Sequence, residues 1–233
     1  MIREHGFNSA WWGGKAGIVE QADFFGHSPE AIREALAPFE WAEFRNPLDA
    51  ELPLARIRDA GFVFADTQVN FRVGLAGRPA QCVESLSLEP ASNGTWRADA
   101  SEWAIFGQER FRLLPGITPA RLNQRYARWA AELVHRAPET CFEIRSAGEP
   151  AGWYFAEPGR SGAINLTLGV LRRGSRISGY AMYEAALCRL AAMGYRIGWA
   201  SFSIANSAVH NIYARLGARF VSPGGIWLWT RKP

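Results

Sequence analysis

Between Ser161 and Ile204 the chain changes its structural period three times. The run SGAINLTLGVL reads as an apolar strand, RRGSRISG as a loop of arginine and glycine, YAMYEAALCRLAAMG as a long helix, and YRIGWASFSI as a strand again. A strand, a helix and a second strand in that order require a sheet with a helix laid against it. The surrounding segments keep the same alternation. TPARLNQRYARWAAELVHRA has Thr118 as N-cap, Pro119 in its first turn, and Leu122, Tyr126, Trp129 and Leu133 at helical spacing. Two strand-like runs, TCFEIRSAG and AGWYFAEPG, meet across AGEPAG, and GGIWLWTRK closes the chain as a strand. The fold class is therefore α/β or α+β with a mixed central sheet flanked by helices.

The N-terminal half is also α/β. AGIVEQADFF predicts a strand and turn, SPEAIREALAPF a helix capped by Ser28, and PLARIRDAGF a helix ending at Gly61. FVFADTQVNFRVGL alternates as a half-buried strand does. Residues 76–99 are rich in Gly, Pro, Ser and Ala and contain the turn signal ASNGTW. This places a boundary near residue 100, with an N-terminal subdomain over 1–100 and a second domain over 101–233.

With 233 residues, 48% hydrophobic and 21% charged, the chain can bury a sizeable core. It has no signal-peptide-like start and no run of about 18 apolar residues, so a cytoplasmic protein without a membrane span is expected. The net charge of +4 is scattered rather than massed into a stripe, which argues against nucleic acid and suits small polyanions. Cys82, Cys141 and Cys188 lack C-x-x-C spacing and read as free buried thiols, and the four histidines have no metal-ligand spacing. No metal is expected.

Arg176-Ile177-Ser178-Gly179-Tyr180-Ala181 has the form R-x-x-G-x-A between strand and helix. Unpaired N–H groups and the positive end of the helix dipole attract phosphate there, and glycine lets a ligand approach the backbone. Arg172, Arg173 and Arg176 add charge, or are simply solvated. Farther on, SIANSAVHNIYARLGARF reads as a helix that places Tyr213 seven positions after Asn206, in a run that is otherwise small, apolar or basic.

Together these residues resemble the GNAT superfamily of N-acetyltransferases, whose motif Q/R-x-x-G-x-G/A is matched by Arg176, Gly179 and Ala181. The family's asparagine and tyrosine are matched by Asn206 and Tyr213, and its Leu-Gly-aromatic ending by Leu216 and Gly217, with Ala218 and Arg219 inserted before Phe220. FNSAWWGGKAGIV, IRDAGFVFADTQVNF, RLNQRYARWAAELV and IWLWTR are similar to segments of the TDP-fucosamine acetyltransferase group. Residues 77–103 have no counterpart.

The resemblance implies a splayed sheet, with acetyl-CoA or another short-chain acyl-CoA as co-substrate. The acceptor it implies is the amino group of a nucleotide-linked amino sugar of the kind used in cell-surface polysaccharides. Residues 1–100 would serve the acceptor side and 101–233 the acyl-CoA side. Leu168-Gly169-Val170-Leu171 would present backbone amides to the pantetheine and the developing oxyanion. Gly169 would let the ligand come close. Residues 176–181 would cradle the pyrophosphate, and Asn206 would cap its helix or hydrogen-bond the pantetheine. Tyr213, with an ordinary pKa near 10, would protonate the departing thiolate, or else pack as a core aromatic. No base is assigned among His210, Glu143 and Glu157. Trp11 and Trp12 would cover the acceptor and Arg45 its diphosphate, with core packing the alternative. Two other functions stay open, a GNAT enzyme for another small amine such as an amino acid, polyamine or antibiotic, and a non-catalytic acyl-CoA-binding module. A homodimer is also left open.

Overall fold

The computed structural model describes residues 1–48, 54–94, 99–103 and 109–231. Pro53 of the helix predicted from PLARIRDAGF and Thr95-Trp96 of the turn signal lie outside these residues. In chain order the elements are β1 (Ile2–Glu4), α1 (Gly6–Trp12), β2 (Ala16–Val19), α2 (Pro29–Leu36), β3 (Trp41–Pro47), α3 (Leu54–Asp59), β4 (Val63–Gly74) and β5 (Leu86–Pro90). They continue with α4 (Pro119–Arg136), β6 (Cys141–Ser146), β7 (Glu149–Pro158), β8 (Ala163–Leu171), α5 (Gly179–Ala192), β9 (Ile197–Ser203), α6 (Ser207–Arg215) and β10 (Arg219–Thr230). The predicted caps are in place. Ser28 Oγ accepts from Ala31 N, and Thr118 Oγ1 accepts from Arg121 N at 3.2 Å.

Among the described residues the strands form one ten-stranded sheet in the order β1-β2-β3-β10-β4-β9-β8-β7-β6-β5. β10, last in sequence, lies between β3 and β4, so segments from both sides of residue 100 share the sheet. β8 and β9 run parallel because α5 carries the chain back across the sheet between them.

β7 is buried along six consecutive positions because both of its faces are covered. Trp153 and Phe155 pack with Tyr126 and Leu133 of α4 on one face. Tyr154 and Ala156 pack with Met182 and Tyr183 of α5 and Tyr213 of α6 on the other.

β8 changes sides partway along. Opposite Phe155 and Ala156 of β7 stand Leu168 and Leu166, which leaves Thr167 as an extra residue. Leu166 consequently belongs to the α5 and α6 core while Leu168 belongs to the α4 core, although two residues apart in a regular strand they would share a face.

One expectation is corrected. Cys82 and Cys188 form a disulfide, with Cα atoms 6.1 Å apart, and only Cys141 remains a free buried thiol. The loop after β4 folds back onto α5, so Val83 and Leu86 pack against the same core as Ala185 and bring together cysteines 106 positions apart. No spacing rule reaches that far.

Candidate active site

The site begins where β8 and β9 part. Their pairing covers Ala163 with Ile197, Ile164 with Gly198 and Asn165 with Trp199, and then stops. The extra residue at Thr167 bends β8 at this point, which is what a bulge does to a strand. Beyond it the facing backbone edges of Leu166–Leu171 and Ala200–Ser203 do not pair with each other. Polar groups on such edges need other partners. A cavity of about 260 Å³ lies in the gap, lined by Leu166 to Gly169, Ala200 to Ser203, and Asn206, Val209 and Tyr213 of the α6 side.

Three tyrosines from three elements also line it. Tyr154 of β7 and Tyr213 of α6 hold their hydroxyls 3.0 Å apart, and the Tyr183 ring of α5 stands edge-on to both, with centroids 5.5 and 5.2 Å away. Burial, then the neighbouring phenols, push the Tyr213 hydroxyl well above its ordinary pKa. This corrects the expectation of a value near 10. Tyr213 stays protonated at neutral pH, but it is a weaker acid than an exposed phenol.

Gly169 has a different neighbour from the one expected. A Cβ there would meet Cζ and the hydroxyl oxygen of Tyr183 at 2.8 Å, so the space this glycine leaves is taken by the tyrosine.

The R-x-x-G-x-A segment forms the start of α5. Ser178 is the N-cap, its Oγ accepting from Ala181 N at 3.1 Å, and Gly179 and Tyr180 begin the helix with N–H groups that have no helical partner. Gly179 packs toward Ile212 of α6, which a Cβ would reach at 3.0 Å. Ile177 packs on the α5 and α6 core, and Arg176 is exposed. Arg172 is committed elsewhere, paired with Glu102 at 3.3 Å. Asn206 caps α6, its Oδ1 accepting from Val209 N at 3.2 Å, and lines the cavity as well.

The opposite wall carries groups that sequence reading did not single out. Asp66 of β4 accepts a hydrogen bond from Ser203 Oγ at 2.7 Å, and burial raises its carboxyl pKa against the opposing effect of that bond. Glu109 accepts from Phe111 N and from the Tyr126 hydroxyl. Arg110 pairs with Glu43 at 2.6 Å; burial disfavours its charge, but Glu43 and Glu109 outweigh that and raise its pKa. Arg125 of α4 donates from Nε to Asn8 Oδ1 at 3.1 Å. The only advance signal for Asp66 was a single acid in a strand whose one other charge is Arg72.

Trp11, Trp12 and Arg45 are not brought to this cavity. Trp11 gives its indole N–H to Arg121 O at 2.9 Å, Trp12 lies under the Arg121 guanidinium, and Arg45 bridges Asn70 and the Ser222 carbonyl. His210 packs between Phe202 and Phe220. Glu143 pairs with Arg145, and Glu157 pairs with Arg136 beside an adjoining hollow.

No family model and no curated protein matches the sequence. Solved structures do match the fold. A GCN5-related N-acetyltransferase from Sphaerobacter thermophilus superposes with a TM-score of 0.60 at 15% identity over 88% of this chain, which spans 65% of that protein's length. The fold is that of the GNAT N-acetyltransferases. A tandem GNAT protein from the clavulanic acid biosynthesis pathway gives a TM-score of 0.53 at 14% identity, covering 95% of this chain and 77% of its own. A GCN5-related N-acetyltransferase from Kribbella flavida gives 0.52 at 13%, with 94% and 82% covered. Among the described residues no helix is long and apolar enough to cross a membrane.

Proposed function

We propose that this protein transfers an acetyl or other short acyl group from acyl-CoA to the primary amine of a small acceptor. The observation that carries this reading is the end of β8–β9 pairing at Asn165 and Trp199, which opens a cavity between Leu166–Gly169, no longer paired with β9, and α6. The start of α5, with its unpaired N–H groups and the exposed Arg176, suits a pyrophosphate. The backbone of Leu168–Leu171 then takes the pantetheine and the thioester oxygen, with Asn206 at the other edge.

The chemistry is direct attack. Asp66, which lines the cavity and whose carboxyl pKa is raised by burial, takes a proton from the acceptor ammonium. The amine nitrogen bonds to the thioester carbon, sheds its second proton to water, and the carbon–sulfur bond breaks to leave the neutral amide. Tyr213 gives its proton to the departing sulfur and is reprotonated through Tyr154, its hydrogen-bonded neighbour, or through water. Residues before 100 contribute Asp66 and Gln68 to the acceptor wall, and residues after 100 the donor edges. The sequence resemblance to the TDP-fucosamine group supports a nucleotide-linked amino sugar as acceptor.

Calorimetry with coenzyme A on the parent and on Gly179→Val tests the donor site, and thiol release from acetyl-CoA with a panel of amines tests turnover. The expected outcome is weaker coenzyme A binding in the variant and thiol release with at least one amine. Equal coenzyme A affinity in a folded variant would remove the α5 start from the donor site.

A further inference from the structure

We propose that Arg125 is the anchor for an oxyanion carried by the acceptor, a carboxylate or a phosphate oxygen, so that the amines acylated at this site are anionic molecules. This rests on the acyl-transfer reading for the role of the ligand, but the anchor itself follows from side-chain geometry. The Arg125 side chain lines the cavity and the residue is only 7% exposed. Its one hydrogen bond runs from Nε to Asn8, and among the described residues nothing accepts from its two terminal nitrogens.

The neighbouring charges are already engaged. Glu43 is paired with Arg110 at 2.6 Å, while Glu109 is held by Phe111 N and the Tyr126 hydroxyl, and neither carboxylate reaches salt-bridge distance of Arg125. Rings surround the guanidinium instead, with the centroids of Phe111, Phe7 and Trp129 at 4.7, 5.3 and 5.6 Å. Such faces favour a cation electrostatically but do not accept the in-plane N–H groups of the fork. The terminal nitrogens belong to a side chain that lines the cavity, and a two-oxygen anion there would accept from both at once in a low-dielectric setting. Burial and then the charge of Arg110 lower its pKa, against the opposing pull of Glu109. Arg125 therefore takes the place that sequence reading gave to Arg45. With Asp66 lining the same cavity, the site presents one group for an anion and one for an ammonium.

The test uses three acceptor sets on the parent protein with acetyl-CoA. These are amino acids, nucleotide-linked amino sugars, and their neutral counterparts, namely amino acid amides and free amino sugars. Thiol release is expected to be about 10- to 100-fold more efficient in kcat/KM for one anionic set than for its neutral partners, the range of a charge-assisted pair. Which set responds identifies carboxylate or phosphate as the source. Arg125→Gln is expected to erase that preference, Arg125→Lys to restore part of it, and neither to alter coenzyme A binding. Anionic and neutral acceptors of equal efficiency on the parent would overturn the anchor while leaving acyl transfer intact. If no amine releases thiol, calorimetry of N-acetylglycine, N-acetylglycinamide and a UDP-N-acetyl amino sugar decides alone. Anion-selective binding that is lost in Arg125→Gln supports the anchor without the enzyme reading, and no selectivity overturns it.

Discussion

Tyr154 and Tyr213 place their hydroxyl oxygens 3.0 Å apart in the floor of the split sheet, although they lie on different elements 59 positions apart. Both phenols are buried and both have their pKa raised chiefly by that burial. Tyr213 is thus a hydrogen-bonded phenol, protonated at neutral pH, that faces the cavity.

Tyr213→Phe should fold and bind coenzyme A while losing activity. Leaving the Tyr154 hydroxyl without its partner should cost about 1–2 kcal/mol in denaturant unfolding. If Tyr213 supplies the proton, kcat should fall about 10²-fold, the low end for general acids because a thiolate departs readily. Since its pKa lies well above 10, no basic limb from Tyr213 should appear below that pH in the parent. A parent-like kcat at every pH would return Tyr213 to a packing role.

Asp66→Asn should lower kcat by at least about 10²-fold and abolish the acidic limb of the pH–rate profile. That limb should lie above the usual aspartate range, since burial raises the carboxyl pKa. The sign for stability runs the other way. A raised folded pKa means that Asp66 destabilises the fold as pH rises through that pKa, so Asp66→Asn should melt no lower than the parent at pH 7, with any gain vanishing near pH 3. An unchanged acidic limb in the variant would exclude Asp66 as the base.

Gly169→Ala should destabilise by about 1–3 kcal/mol, because the added methyl meets the Tyr183 phenol at 2.8 Å. Tyr183→Leu in the same chain should recover part of that loss. Additive effects in the double-mutant cycle would show that the two residues do not compete for the space.

Thiol counting should find one reactive cysteine, Cys141, in the denatured unreduced protein and three after reduction. Cys82→Ser should cost about 2–5 kcal/mol under oxidising conditions, in keeping with the 106-residue separation that the bridge closes. Three thiols before reduction would mean that the bridge does not form.

Much of the fold was legible locally. Ser28, Thr118 and Asn206 cap helices because short polar side chains satisfy the first free N–H groups, which is a property of a few neighbouring residues. Val69, Phe71 and Val73 are buried at alternate positions of β4, as the pattern implied. β3 was not legible. It is buried on both sides between β2 and β10, so Trp41-Ala-Glu-Phe-Arg-Asn-Pro shows no clean alternation. α1 was also missed, since its cap is His5 and its sequence has no long apolar period.

The sequence by itself determined the strand–loop–helix–strand order, the free helix start at Gly179, and the spacing of Asn206 and Tyr213, because each depends on residues a few positions apart. Only the tertiary structure decided what stands in the cavity. The bulge at Thr167 sends Leu166 and Leu168 to opposite cores, Tyr183 fills the space beside Gly169, and Asp66 and Arg125 arrive from β4 and α4. These relations depend on which strands pair and which helix lies over them. Packing of that kind is a sum over distant contacts, and no short window of sequence contains it.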